Sequence, residues 1–379
     1  MRLAKNVKRL SLVVLILFVS SMAVCAGIFL LKAHSGKPEG RTDLPGKKAA
    51  VPVRYSHMSR EIGGANQEIS LLEIDPSDSG VEIKPVLSHD SVFGFELLSS
   101  MLSRSKAFAG TNAGFFYEYG QPAGMVMIDG SMITGSTGKY PVFVSEGGKA
   151  ALKQFATRLW MNYGTKSIEL TGLNAFEGRA GDVVLYTDRY GTDNRVKADN
   201  ISVVIKDGTI ESISESSGET DIPDGGSVLT FFKPAAGINA GSFKKGEMVK
   251  FGYAPNLGEN AQAYECGSWI LKGGNIVVGE RDEWVGVMTN RDPRTAIGIK
   301  GDGAVILVTV DGRQPSYSEG LTGKELGGLL LSLGAVDAAM LDGGASAEMI
   351  VKGKIVNRPS FKGRERLLGG AIAVMYREK

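Results

Sequence analysis

The sequence predicts an α+β fold: a mixed, largely antiparallel β-sheet core with a few packed helices, forming a single domain after an N-terminal membrane anchor. Three observations predict it. Glycine supplies 51 of 379 residues, about twice its usual share and without a collagen-like period, which calls for many sharp turns between short strands. Four stretches, "MVMIDGSMI", "VVIKDGTI", "WILKGGNIV" and "MIVKGKIV", set apolar residues on both sides of a glycine-centred turn, the local mark of a β-hairpin. Strands recur too often, with too few long helices between them, for a doubly wound parallel sheet.

The chain starts with Arg2, Lys5, Lys8 and Arg9, followed by an uncharged apolar run from Ser11 to Leu31. At 1.5 Å per residue that run spans roughly 30 Å, one bilayer core, and it is too long for an ordinary signal-peptide core. The basic residues ahead of it place the N-terminus in the cytoplasm and the rest of the chain outside. Residues 1–32 are therefore expected to be a cytoplasmic tip and signal anchor, with cleavage near "AVCAG" as the alternative. Residues 33–60, rich in Pro, Gly and charge, read as a flexible linker, and residues 61–379 as the domain.

Within the domain, "EISLLEID" and "VEIKPVL" read as strands. Phe95, Leu98 and Leu102 are spaced as one face of a helix, and the strand "AFAGTN" follows. The same order recurs near the C-terminus. Thr322 and Glu325 form a capping box, Leu326, Leu329, Leu330 and Leu333 make a buried stripe, and Gly334 stops the helix. The strand "AVDAAML" follows, then "DGGAS". The segment Glu215 to Ser227 is polar and turn-rich, a surface loop.

Composition narrows the function. Lys+Arg 43 against Asp+Glu 41 gives a net charge of +2, with the basic residues spread along the chain, so no nucleic-acid footprint is present. Of the two cysteines, Cys25 and Cys266, the first lies in the apolar run, so the domain has no internal disulfide. His34 and His57 precede the domain, leaving His89, which argues against a histidine-built zinc site. The calcium loop pattern D-x-[DN]-x-[DN]-G is missing. No metal and no cofactor are expected.

Four loops concentrate polar residues, each expected directly after an apolar strand: "NAGFF" (Asn112 to Phe116), "NRDPRT" (Asn290 to Thr295), "VDGR" (Val310 to Arg313) and "DGGAS" (Asp342 to Ser346). Side chains at strand ends are held rigidly by the core, and neighbouring glycines let a ligand approach the backbone. Arg294, Arg313 and Arg366 offer forked donors matched to phosphate oxygens. Asn112, Asp311, Asp342 and Ser346 are suited to sugar hydroxyls or to proton handling. Taken singly, each loop also has a structural reading: "DG" after a strand is a turn, the arginines are surface or ion-pair residues, and "NAGFF" is a turn followed by core aromatics. Trp160, Trp269 and Trp284 read as packing residues, while Tyr117 and Tyr119 are candidates for stacking on a ring.

Taken in order, "TNAGFF", "PAGMVMIDG", "DPRTAIGI", the run from "VDGRQPSYSEG" through "MLDGGASAEMIVKGKIVNRPS", and "RERLLGGAIAV" resemble the phosphodiester glycosidase family. The resemblance covers roughly Glu68 to Tyr376 and is closest from Asp292 onward. Ala113 and Ala345 stand where the family usually shows glycine. The resemblance implies a bacterial, single-domain hydrolase that cuts the anomeric C–O bond of a sugar-1-phosphodiester in a cell-surface or extracellular glycan. It also implies residue roles. Arg294 and Arg313, with the N–H groups of Gly343 and Gly344, hold the phosphate. Asp342 and Asp311 are the candidate carboxylates, and Asn112, Ser346 and Asn357 orient the sugar. Gly114, Phe115 and Thr295 complete the substrate site, with Arg366 as a further phosphate contact. A non-catalytic phosphoglycan-binding protein, and a phosphodiesterase breaking the P–O bond, remain as alternatives.

Overall fold

The computed structural model describes residues 51–377, apart from 177 and 235–236. The expected anchor at 1–32, and the linker as far as residue 50, lie outside the described residues. Among the described residues no helix is long and apolar enough to cross a membrane.

Ten strands build the part of the fold that positions the site: β1 (Val53–Ile62), β2 (Ala65–Ile74), β3 (Val81–Leu87), β4 (Ala109–Asn112), β5 (Trp269–Lys272), β6 (Arg294–Lys300), β7 (Val305–Val310), β8 (Ala335–Met340), β9 (Met349–Val351) and β10 (Gly370–Tyr376). One sheet has the order β1-β2-β7-β6-β8-β5 and ends on Asn275–Ile276. A second runs from Lys354–Ile355 through β9-β4-β10-β3. The two share one core, to which Leu72, Ile297, Leu307 and Ala339 come from the first sheet and Ile83, Ala109, Ile372 and Val374 from the second. Helix α1 (Leu98–Arg104) covers the outer face of the second sheet with Leu98, Met101 and Leu102. Helix α2 (Gly323–Ser332) covers the outer face of the first with Leu326, Leu329 and Leu330. Alternation along each strand sends successive side chains to opposite faces, so both faces of these sheets can be apolar.

The helix–strand–loop order seen twice in the sequence is therefore a repeated spatial arrangement. Each helix lies outside its sheet and is followed by a strand of that sheet, β4 or β8. The two helices begin differently. Thr322 and Glu325 form the expected reciprocal cap on α2, and Gly334 closes it at φ +88°. At α1 the capping position is Leu97, which has no side-chain acceptor. The carboxylate of Glu365, distant in sequence, accepts from Ser99 N (2.8 Å) and Ser99 Oγ (2.7 Å) instead. Phe95 precedes this helix and Met101 joins its buried face.

All four expected hairpins are present as antiparallel pairs. Between β4 and β5 the chain adds three further sheets, one of them including Gly172–Leu173 beside Val183–Thr187, the one parallel pair among the described strands. With two α-helices among the described residues, the fold is more completely β than an α+β class suggests. Val51 to Lys379 clusters as one compact unit.

The domain begins earlier than residue 61. Every residue of β1 pairs with β2, so the segment 53–60 is an edge strand and not linker. Its outer face mixes Arg54, Ser56 and Arg60 with Met58 and Ile62, which pack on the α2 side of the sheet; charge on an edge strand suits an edge that must not recruit another strand, and the mixture hides its period. Prediction: a chain starting at Glu61 lacks Val53, which is 4% exposed in the shared core, and the Tyr55 hydroxyl bond to Val356 O. Its urea midpoint is expected to fall well below that of a chain starting at Val51, and equal midpoints would show β1 to be dispensable.

Candidate active site

Antiparallel pairing brings the expected loops to one end of the core. Arg294, the first residue of β6, lies opposite Val310, the last of β7, and Ala296 lies opposite Met340 at the end of β8. Arg294, Asp311 and Asp342 thus leave the first sheet together. The second sheet contributes Asn112 at the end of β4, and Asn112 joins the two. Its Nδ2 donates to Asp342 O (2.6 Å), while its Oδ1 accepts from Thr295 Oγ1 (3.0 Å) and Glu348 N (3.2 Å). Asp342 N in turn donates to Ala113 O (3.1 Å).

Several residues expected to touch substrate are instead inside the protein, and their polar atoms are already used. Asn112 is 1% exposed and Thr295 0%, so they hold the loop and do not face a sugar. Arg294 is 1% exposed; its Nε donates to Leu321 O and its second terminal nitrogen to Asn290 O, both at 2.8 Å. Burial lowers its pKa, with Asp292 opposing, and it acts as a strut under the "NRDPRT" loop, not as a phosphate ligand. Asp311 is buried too, and accepts from Asn357 Nδ2 (2.8 Å), Arg358 N (2.9 Å) and Tyr317 Oη (3.3 Å). Burial raises its carboxyl, and these donors work against that. Asn357 also accepts from Met349 N (2.8 Å), which leaves it welding β9 to the Asp311 turn. A carboxylate so fully bonded is a joint, not a base.

One glycine N–H is occupied as well: Gly344 N donates to Pro293 O (2.8 Å). The N–H groups of Gly343 and Gly114 lie near the Asp342 carboxylate and the Tyr264 hydroxyl and pull those groups down. The Gly344 N–H, expected to hold a phosphate, is therefore already committed inside the protein. Glycine is needed there for other reasons. Gly344 sits at φ +58°, and a Cβ on Gly343 would stand 2.8 Å from Pro293 O. Ala113 and Ala345 are both absent from the residues with positive φ, so neither methyl strains the backbone.

Three groups remain open. Asp342 is half-buried, and burial pushes its carboxyl up to about 6, against the pull of the Ser346 hydroxyl, the Arg366 charge and the Gly343 N–H. Ser346 itself is 1% exposed, and its Oγ, though close enough to act on Asp342, makes no hydrogen bond of full geometry; it is a neighbour of the acid, not a sugar contact. Arg313 is exposed, anchored by Nε to Asp292 Oδ1 (2.8 Å), and presents its terminal nitrogens beside Gly344. Arg366 is half-buried with its guanidinium 5.9 Å from the Phe116 ring centre. An acid poised near neutrality beside guanidinium groups is an arrangement for proton handling next to an anion.

Four features escaped the sequence reading. Phe115 stacks on Trp284 (5.7 Å, 12° between planes), and Tyr117 meets Trp284 edge-on (5.3 Å); Asp282 holds the Trp284 turn through the N–H groups of Trp284 and Val285. Glu348, in the "DGGASAEM" loop itself, is 1% exposed, and burial together with the neighbouring Glu365 pushes its carboxyl up to about 9. Arg358 adds another exposed guanidinium, 5.1 Å from the Tyr317 ring. His57, assigned to the linker, lies in β1 and bonds Glu68 (2.7 Å). A cavity of about 490 Å³ is lined by Tyr117, one of the expected ring-stacking candidates, together with Gln121, Pro122 and Ala123 of the same loop, and by none of the residues expected to hold the phosphate or act in catalysis.

Comparison with known proteins adds a family. The model of the phosphodiester glycosidase family matches residues 199–375, the stretch that carries every strand-end loop except "NAGFF". A segment of 114 residues is 33% identical to the SPbeta prophage-derived uncharacterized protein YomE of Bacillus subtilis (strain 168); the match spans 30% of this chain and 17% of that protein's length. Among solved structures, a hypothetical protein from Synechocystis superposes with a TM-score of 0.70 at 20% identity, over 87% of this chain and 64% of that one. A putative exported protein from Burkholderia pseudomallei gives 0.67 at 22%, over 82% and 74%. At these identities the two likenesses concern the fold alone. The zebrafish N-acetylglucosamine-1-phosphodiester alpha-N-acetylglucosaminidase catalytic domain, auto-inhibited by its pro-peptide, aligns more loosely, with a TM-score of 0.44 at 14% identity.

Proposed function

Starting from a chain whose residues 199–375 match the phosphodiester glycosidase family, we propose that it hydrolyses the anomeric C–O bond of a sugar-1-phosphodiester, releasing free sugar and a phosphomonoester. The observation that carries this reading is Asp342: a half-buried carboxyl raised to about 6, on a loop that also places Arg313 beside Gly344. The leaving group is a phosphate monoester, stable as an anion, so a strong general acid matters less than in ordinary glycoside hydrolysis. Arg313 and Arg366 stabilise the departing phosphate. Asp342, ionised above about pH 6, activates water or stabilises the oxocarbenium-like centre. The substrate is a phosphorylated glycan of the cell surface or its surroundings, and the basic tip and apolar run of residues 1–32 anchor the enzyme with its domain outside the membrane.

Hydrolysis of a sugar-1-phosphodiester in ¹⁸O-labelled water tests the reaction. Label is expected in the sugar. Label in the phosphate would replace the reading with P–O cleavage, and binding without turnover would replace it with a phosphoglycan-binding protein. A second expectation concerns Arg313. Because its terminal nitrogens are free while Nε is held by Asp292, Arg313→Gln is expected to lower kcat/KM about tenfold or more and to weaken inhibition by inorganic phosphate in parallel. Unchanged phosphate inhibition would remove Arg313 from the anion site.

A further inference from the structure

We propose that the cavity lined by Tyr117 is a binding subsite for uncharged sugar residues, the part of the glycan that continues beyond the phosphodiester. This rests on the glycosidase reading for its purpose but not for its chemistry. At about 490 Å³ the cavity falls within the roughly 300–1,000 Å³ of ordinary ligand sites and has room for a short oligosaccharide. Among the described residues, no charged side chain lines it. Glu265 lies behind Gly124; burial raises its carboxyl, against the pull of the Met125 N–H, the Ser136 hydroxyl and the Tyr140 N–H.

The polar lining has a direction. The hydroxyls of Thr134, Ser136, Thr157 and Thr171 donate to Gly124 O (2.6 Å), Phe155 O (2.9 Å), Ser136 O (3.1 Å) and Val183 O (3.2 Å). Each also accepts from a backbone N–H, of Val126, Gly138, Ser136 and Val183 respectively. A hydroxyl has one proton to give and two lone pairs, so each of these four has spent its proton and keeps one lone pair. Asn174 Nδ2 is likewise committed, to Ile133 O (2.8 Å) and Thr187 Oγ1 (3.0 Å). This stretch of the wall therefore accepts hydrogen bonds, and the side-chain donors that remain are neutral ones, from Gln121, Thr137 and Tyr117. A phosphate or carboxylate finds no cation in this lining, whereas sugar hydroxyls both donate to the free lone pairs and accept from the neutral donors.

Aromatic rings supply the rest. Tyr117 and Phe176 line the cavity, held by Trp284 and by Phe93 and Tyr119 respectively, and stay about half exposed, at 49% and 44%, which leaves ring surface for the apolar face of a pyranose. The loop that carries Tyr117 starts at Ala113, whose carbonyl holds Asp342 N, and its bonds Ala123 N to Phe115 O (3.0 Å) and Tyr117 N to Gln121 O (2.8 Å) make it a closed turn. One short rigid segment thus joins the acid to the cavity. The anion is held at the arginines and the neutral sugars at the cavity.

Calorimetric titration of the full chain with maltotriose, cellotriose and chitotriose, in the absence of any phosphodiester, tests this without requiring turnover. At least one trisaccharide is expected to bind, and Ala156→Trp, which fills the mouth from an exposed position, to weaken it at least tenfold. Phe176→Ala serves as the second variant should Ala156→Trp fail to fold, and is expected to weaken the same ligand. Inorganic phosphate should bind both variants as it binds the parent chain. No binding of any of the three sugars, or binding unaffected by both variants, overturns the proposal; so does phosphate binding that either variant abolishes. Loss of hydrolysis with sugar binding intact would count against the glycosidase reading alone.

Discussion

Asp342→Asn is expected to lower kcat/KM for a sugar-1-phosphodiester about 100-fold or more, within the range of roughly 10² to 10⁴ for a positioned acid or base, while the protein becomes more stable at neutral pH. The two effects have one cause. Burial raises the Asp342 carboxyl from 3.8 to about 6, so the folded protein binds this proton more tightly than the unfolded chain does. Its contribution to stability is complete below about pH 4 and is lost as pH rises through about 6. At pH 7 the ionised, half-buried form costs up to about 3 kcal/mol, taking 1.36 kcal/mol per pKa unit. Asparagine removes that cost and should raise the unfolding midpoint at pH 7 but not at pH 3.5. In the parent enzyme the acid limb of kcat/KM should bend near pH 6, and in the variant that limb should vanish. Activity within tenfold of the parent, or destabilisation at pH 7, would mean that Asp342 is held for structure and not for chemistry.

What could be read from the sequence follows from how local each signal is. The four hairpins and α2 are specified by residues a few positions apart, such as Thr322 with Glu325, and these elements stand where expected. Two features escaped because their determinants are distant. The start of α1 is capped by Glu365, more than 250 positions away, and β1 is recognisable only by its pairing with β2. The same distinction runs through the site. The residue types and the gathering of the loops at one end followed from strand-end placement. Which side chains face outward did not. Arg313 and Arg294 look alike in sequence, yet Arg313 stands exposed in the "VDGR" turn while Arg294 enters the interior as the first residue of β6, where Leu321 and Asn290 carbonyls take its protons. Asp311 and Asp342 both follow buried strands. Asp311 meets three donors across the turn from Asn357 to Arg358 and the side chain of Tyr317. Asp342 meets none so strong, and its carboxyl stays available.

Asn112→Ala is expected to cost about 3–5 kcal/mol of folding stability, because one deletion strands several buried groups at once, each worth roughly 1–3 kcal/mol when left unsatisfied. The carboxamide accepts from Thr295 Oγ1 and Glu348 N and donates to Asp342 O, and each of these atoms belongs to the packed ends of β6, β8 or the strand approach to β9. At 1% exposure, no water is available at the surface of Asn112 to replace the lost bonds. Had Asn112 been a sugar contact, the variant would fold normally and bind substrate weakly. As the pin between the two sheets, it should instead show a lowered urea midpoint first. Activity should fall with it, through kcat more than KM, since the Asp342 backbone would lose its tie to β4 while Arg313 keeps its hold on Asp292. Asn112→Asp separates the roles further: it preserves the acceptor for Glu348 N and Thr295 but sets an oxygen against Asp342 O. It should therefore be no more stable than the alanine variant at neutral pH, whereas a mere sugar contact would tolerate it with the fold untouched.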